Sequence, residues 1–570
     1  MNSGVASGQW PVARAVPYVR KRTGNWQLVT GNFAVALAML LASCATTPMP
    51  KETLDLKITN GRIVDGTGAP WYRADLGIRG NRIVAIGDLR EMSAISTIDA
   101  QGRMVAPGFI DLLGWSQTTV IADPKLEAKI RQGVTTEVAG EGVSPGPNAP
   151  DRVRPGDRWL TLGDYLDELD RRGSAINFAM LLGASNPRTM VIGDVDRPPT
   201  MDEMRQMEAI VEQAMRDGAI GIGSSLIYVP AMFSTADELI NLARVASKYG
   251  GMYFSHIRDE GDRIDSALDE AFRIGREAKI AVNIWHLKIG GRPNWGRMPE
   301  ILARIEAARA EGIDVAANVY PYAASSTGLS TLAPDWAMEG GYDDFQKRLQ
   351  NAEDRARIAD ALRAQVARRG EHGIYVSQVF NPAHSAYEKK FIGEIAALMR
   401  TSPEEALMTL FAENRISPRV IYFSMNEDDV RTALRHPWVS ICSDASSPTD
   451  KARAENVGLH PRAYGSFPRV LGHYAREQKL FTIEEAVRKM TSQAAARANL
   501  GDRGVLRAGL VADVVVFDPD TIIDKSTFDD PHHFSVGVTD VIVNGTPVLR
   551  DGAMTGKLPG KSIRGHGYRK

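Results

Sequence analysis

From residue 105 to residue 445 the chain alternates short apolar runs with longer amphipathic stretches. The runs at 105–113, 133–140, 177–184, 219–225, 251–257, 281–287, 314–322 and 439–445 predict strands. Their length and near-continuous hydrophobicity suit strands buried on both faces. Between them, Leu239-x-x-Leu242-Ala243-x-x-Ala246 and Ala267-Leu268-x-x-Ala271-Phe272-x-Ile274 keep the helical period. Strands that alternate with helices predict a parallel sheet, and eight of them predict an α/β fold closed as a (β/α)8 TIM barrel.

The gap before the last run is far too long for one helix. Residues 335–435 are therefore expected to hold an inserted helical subdomain or lid, between barrel segments at 105–334 and 436–500. Toward both ends the pattern shortens to period two, as in Leu54-Asp55-Leu56-Lys57-Ile58 and Ala512-Asp513-Val514-Val515-Val516-Phe517-Asp518. Glycine and asparagine turns separate these runs, which marks them as short strands. Residues 45–104 and 501–570 are expected to pair into one composite β-sandwich.

Residues 1–44 have another character. Arg14, Arg20, Lys21 and Arg22 precede an apolar run from Phe33 to Ala42, which ends in Leu41-Ala42-Ser43-Cys44. Such a run is too short for a bilayer, which takes roughly 20 residues, and the arrangement reads as a secretory signal. Leu-Ala-Ser-Cys resembles the bacterial lipobox. Cys44 is then the expected lipid attachment site and mature N-terminus, on an exported periplasmic lipoprotein anchored to the outer membrane. Of the two cysteines, this leaves Cys442 without an intrachain partner. A net charge of −1 with both signs interspersed argues against a nucleic-acid partner, while the oligomeric state stays open.

The candidate chemistry lies where the apolar runs end. His256 and His286 close the fifth and sixth runs, and Asp444 closes the eighth. In a (β/α)8 barrel the strand C-termini converge on one mouth, so these residues are expected to be neighbours. Imidazoles and carboxylates are what Zn²⁺ binds in sites that keep a position open for water, and a further carboxylate can carry the proton of that water. The bland alternative for Asp444 is a helix N-cap.

The chain resembles the amidohydrolase superfamily, and within it the N-acyl-D-amino-acid deacylase (D-aminoacylase) family. The resemblance is carried by Val105-Ala-Pro-Gly-Phe-Ile-Asp111, Gly133-Val-Thr-Thr136, Ser255-His-Ile-Arg-Asp-Glu-Gly261, His286-Leu-Lys288, Val319-Tyr-Pro-Tyr322 with Ser325-Ser-Thr-Gly328, Ser443-Asp444, His460-Pro-Arg462 and Gly509-Leu-Val-Ala-Asp513. It implies that His256 and His286 hold a tight catalytic zinc, one per chain. The family's third ligand is a cysteine after the second strand. Here that place reads Ala139-Gly140-Glu141-Gly142, which makes Glu141 the expected substitute or, on the bland reading, a surface loop acid. Asp444 is implied as the catalytic acid/base. Lys288, Tyr320 and Ser326 match substrate contacts, and Tyr228 and Arg462 match them more loosely. Lys288 and Arg462 would otherwise form structural ion pairs.

The departure is at the first strand. The family follows it with His-x-His, which binds a second, weaker metal; this chain has Leu113-Gly114-Trp115. Leu113 and Trp115 are expected to make an apolar wall, with Trp115 in contact with the acyl group. The expected activity is zinc-dependent hydrolysis of the amide in an N-acyl (D-) amino acid or a related small amide. A peptide, isopeptide or cyclic amide as substrate, or a non-catalytic binding lipoprotein, are the alternatives.

Overall fold

The computed structural model describes residues 53–148 and 159–569. Cys44 and the expected leader lie outside the described residues, within which no helix is long and apolar enough to cross a membrane.

Among the described residues eight parallel strands form the barrel: β1 Phe109–Asp111, β2 Val134–Ala139, β3 Asn177–Met180 continued by Leu182–Gly183, β4 Gly221–Ser225, β5 Met252–His256, β6 Val282–Ile284, β7 Val315–Val319 and β8 Val439–Ile441. Neighbours in sequence are neighbours in the sheet. The ring closes where the Asp444 N–H donates to the Leu113 carbonyl at 2.8 Å and Gly114 bridges Ala445. Every residue of β1 and β2 is buried, as a barrel filled inside and covered by helices outside requires.

Residues 105–113 are not one strand. Met104–Pro107 pairs with Val514–Phe517 and with the end of Leu54–Ile63, and the barrel begins only at Phe109. Gly108 is the joint: a Cβ there would lie 2.2 Å from Thr135 Oγ1, so no larger residue lets the chain pass.

The two chain ends share one nine-stranded sheet among the described residues, joined by antiparallel pairing of Val514–Phe517 with Met104–Pro107. Along Leu54–Ile63 buried residues alternate with exposed ones at first, and Leu56, Ile58, Leu76, Ile78, Val514 and Val516 meet in its core. The final segment departs from this plan. Ser562–Ile563 leaves the end sheet and pairs in parallel with β3.

The insertion between β7 and β8 contains helices, including Ala352–Arg369 and Pro403–Glu413. They pack on a four-stranded antiparallel sheet that the periodicity did not reveal, in the order Ser325–Gly328, Arg419–Tyr422, Ile374–Gln378, Lys390–Phe391. That sheet opens at Ser325, ahead of residue 335. The insertion has its own apolar core around Phe345, Leu362, Leu407 and Phe411.

A buried charge cluster locks the seam between β8, β1 and β2. Lys129 Nζ lies 2.6 Å from Asp111 Oδ2 and 3.0 Å from Glu137 Oε2, with all three side chains fully buried. It also donates to Ser443 Oγ and to the Ala445 carbonyl, each at 2.8 Å. The Ser443 N–H donates to Asp111 Oδ1 at 2.9 Å, and the Ser116 N–H to Glu137 Oε1 at 2.7 Å. Burial alone would push the Lys129 ammonium down, but the two carboxylates more than offset this and hold its pKa above the ordinary value. Removing one partner of a buried ion pair typically costs about 3–5 kcal/mol. Lys129→Met leaves Asp111 and Glu137 without a counter-charge, so the melting temperature should fall markedly; an unchanged melting curve would refute the cluster's part in closing the barrel.

Candidate active site

The backbone aims the functional side chains before any side-chain contact is made. Glu141 follows β2 between Gly140 and Gly142, both at positive φ (106° and 65°). A Cβ at Gly140 would lie 2.2 Å from the Leu181 carbonyl oxygen, and one at Gly142 2.6 Å from Ser225 Cβ. The two glycines let the loop turn inward and press against β3 and β4. His256 is the last residue of β5. His286 and Asp444 stand past the ends of β6 and β8 at φ 35° and 50°. Non-glycine residues at positive φ are uncommon and persist where their surroundings hold them. Here the His286 N–H donates to Asn318 Oδ1 at 2.6 Å, and the Asp444 N–H to Leu113 as above.

Glu141, His256 and His286 converge, with one ligand atom of each within 4.8 Å of the others. Glu141 Oε1 lies 3.0 Å from His256 Nδ1 and 3.4 Å from His286 Nε2, and accepts from Ser225 Oγ at 3.2 Å. Glu141 is buried, so it is no surface loop acid. Burial would raise its carboxyl, but the two imidazoles more than offset this and hold it far below the usual carboxylate range. Burial and Lys288 push His286 down; Glu260, Asp444 and Glu141 prevail and raise it to about 9.

Glu141 Oε2 and His256 Nε2 are buried without a hydrogen-bond partner. Buried polar atoms are normally paired, and unpaired ones within a cluster of ligand atoms are suited to a bound cation. Two imidazoles and a carboxylate suit Zn²⁺, so the residues fit the metal.

Behind His286, on the side away from Glu141, stands Glu260, which sequence reasoning passed over inside a quoted motif. Its Oε1 lies 3.0 Å from His286 Nδ1, and its Oε2 lies 3.6 Å from His256 Nε2. Lys288 Nζ donates to Glu260 Oε1 at 2.5 Å and lies 2.7 Å from His286 Nδ1. A carboxylate behind a ligating histidine orients the ring. The strand ends at Ile284, so strand alternation does not place Lys288 beside His286; the positive φ of His286 does.

Asp444 caps no helix; the next one, Asp450–Ala454, is capped by Thr449. Its Oδ1 accepts from the Trp115 indole N–H at 3.1 Å, and its Oδ2 lies 2.6 Å from Arg462 Nη1 in an ion pair out of line for a hydrogen bond. Arg462 also donates from Nη2 to the Ser326 carbonyl at 3.1 Å and lies over the Tyr320 ring at 4.7 Å. Tyr320 follows β7, its ring 6.3 Å from His286. The Tyr228 ring stands 5.7 Å from His256, and its hydroxyl is 2.6 Å from Thr327 Oγ1 on the insertion. The structure thus brings the expected site residues together. It also shows Lys288 and Arg462 already paired with carboxylates, and Trp115 with its one polar atom on Asp444.

Residues 96–549 match the model of the amidohydrolase family. A D-aminoacylase of Alcaligenes xylosoxydans xylosoxydans is 39% identical over 90% of this chain and 98% of its own. A crystal structure of N-acyl-D-glutamate deacylase from Bordetella bronchiseptica, complexed with zinc and a phosphonate mimic of the tetrahedral intermediate, superposes with a TM-score of 0.77 at 35% identity, covering 90% of this chain and all of that one. A D-aminoacylase structure described through its binuclear metal centre, with one-metal activation and second-metal attenuation, gives 0.76 at 36% identity, with the same coverage.

Ligation needs a neutral imidazole, so below about 9 the His286 proton competes with the metal. Zinc uptake by the metal-free protein should release protons and tighten as pH climbs toward that value. Calorimetric titrations in buffers of different ionisation enthalpy check this; an affinity flat across neutral pH would mean that His286 is already neutral.

Proposed function

The chain belongs to the amidohydrolase family, and from that premise we propose that it releases the acyl group of N-acyl-D-amino acids, using one zinc ion held by Glu141, His256 and His286. As a member of that family it is a metal-dependent hydrolase of non-peptide carbon–nitrogen bonds. The observation that carries this proposal is the ligand cluster with a separately anchored carboxylate, Asp444, beside it.

A zinc ion held by Glu141, His256 and His286 would supply Lewis-acid chemistry toward the acyl carbonyl and lower the pKa of water. Asp444 takes a proton from the attacking water and returns it to the amine nitrogen as the carbon–nitrogen bond breaks. The products are a carboxylic acid and a free amino acid. Glu260 holds the His286 ring in place and balances Lys288. A guanidinium has five donors and an ammonium three. Arg462 and Lys288 therefore keep N–H groups for the substrate carboxylate, with Tyr320 packed beside them. Ser326 and Tyr228 complete the wall toward the insertion. The D configuration is supported by the relatives' substrates and by no contact of its own.

We also propose that Cys44 is lipidated and that the protein works at the outer membrane of the periplasm, on the strength of the leader sequence alone. In bacterial cells Cys44→Ala should leave the protein out of the membrane fraction; unchanged membrane association would refute the anchor.

Loss of a general acid/base typically costs about 10²–10⁴ in rate. Asp444→Asn should lower kcat on this scale and keep its zinc, whereas His286→Ala should lose zinc and activity together. Both are to be measured on N-acyl-D- and N-acyl-L-amino acids beside dipeptides and cyclic amides. Hydrolysis of the latter pair alone would transfer the site to a different amide, and zinc-loaded protein inert on all of them would favour a binding function.

A further inference from the structure

Asp444 is held from three directions. Its backbone N–H is fixed to Leu113, one carboxylate oxygen accepts the Trp115 indole N–H, and the other faces the Arg462 guanidinium. The backbone N–H of Trp115 in turn donates to Ala445 at 3.2 Å, so the two segments brace each other. Leu113 is fully buried and Trp115 partly so. These two residues occupy the stretch after β1 in which the family resemblance places the His-x-His of a second metal. An alkyl group offers no lone pair, and an indole N–H only donates, so neither residue can ligate an ion.

We propose that Trp115 is the positioning residue of Asp444. Its N–H, with Arg462, anchors the carboxylate, and the apolar pair Leu113 and Trp115 closes the mouth to a second ion. A metal on Asp444 would take up the lone pairs that must receive a proton. The indole and the guanidinium face two of about four acceptor positions on the carboxylate and leave the others to receive a proton. Attenuation by a second metal, described for the binuclear D-aminoacylase, then has no site here. The kinetic part of this inference rests on Asp444 being the acid/base; the part concerning ions does not.

The test combines metal titration, spectroscopy and kinetics. Metal-free wild type and Trp115→Phe should each take up one zinc, with no further uptake in excess metal, and the double variant Leu113→His/Trp115→His should take up two. The indole N–H proton resonance lost in Trp115→Phe should sit downfield in wild type and move upfield in Asp444→Ala. Loss of a hydrogen bond to a charged group corresponds to a rate loss on the order of 10- to 100-fold. That loss should fall on kcat in Trp115→Phe, with KM nearly unchanged. A second zinc in wild type, an indole resonance indifferent to Asp444, or an unchanged kcat would each overturn the proposal. The zinc count and the resonance need no substrate, so they decide it even if no N-acyl amino acid is hydrolysed.

Discussion

Everything at the barrel mouth depends on one buried ammonium. Lys129 joins Asp111 on β1, Glu137 on β2 and the Ser443–Ala445 segment after β8, with all three charged side chains out of reach of water. Taking three charges out of water is costly, and such a cluster adds little stability over a well-packed apolar one. What it supplies is register. It fixes the residues on either side of Asp444 and so supports a backbone conformation that a non-glycine residue rarely adopts. Gly114 shows how tight the arrangement is, since a Cβ there would lie 2.0 Å from Glu137 Cδ.

Above this lock the mouth is an almost alternating arrangement of charge. Glu141 and Glu260 flank the two histidines, Lys288 sits against Glu260, and Arg462 faces Asp444. Each carboxylate therefore has a cationic or donor partner of its own. A metal ion can bind at Glu141 without disturbing Asp444, because the two acids belong to separate hydrogen-bond systems. The proposed one-metal reaction needs this separation: one carboxylate to hold the ion and another left to move a proton.

The strand count and the strand-end residues were legible in the sequence because a parallel barrel buries its strands throughout and leaves its chemistry at their C-terminal ends. His256, His286 and Asp444 stood out for that reason, whereas Glu141 was reached only through the family resemblance, which places a ligand after the second strand. The seam did not. Lys129 reads as an ordinary polar position of a short amphipathic segment, and its partners lie 18 and 8 residues away with no period to link them. Glu137 was the available signal, a charge inside a strand that is otherwise apolar or hydroxylic. Glu260 lies in a loop, where spacing carries no directional information. The four-stranded sheet of the insertion escaped notice because runs as short as Arg419-Val-Ile-Tyr422 sit among strongly helical neighbours. The division of residues 105–113 at Gly108 is a tertiary effect, set by contact with Thr135.

The insertion also sets how this site can diversify. It reaches the mouth through Ser326 and Thr327, yet it is held together by an apolar core separate from that of the barrel. Residues on its first strand, apart from Thr327 with its bond to Tyr228 beside His256, can be exchanged without disturbing the packing that aims Glu141, His256 and His286. Natural descent, or a designer shuffling modules, can therefore retune which molecules enter while the reaction centre is inherited intact.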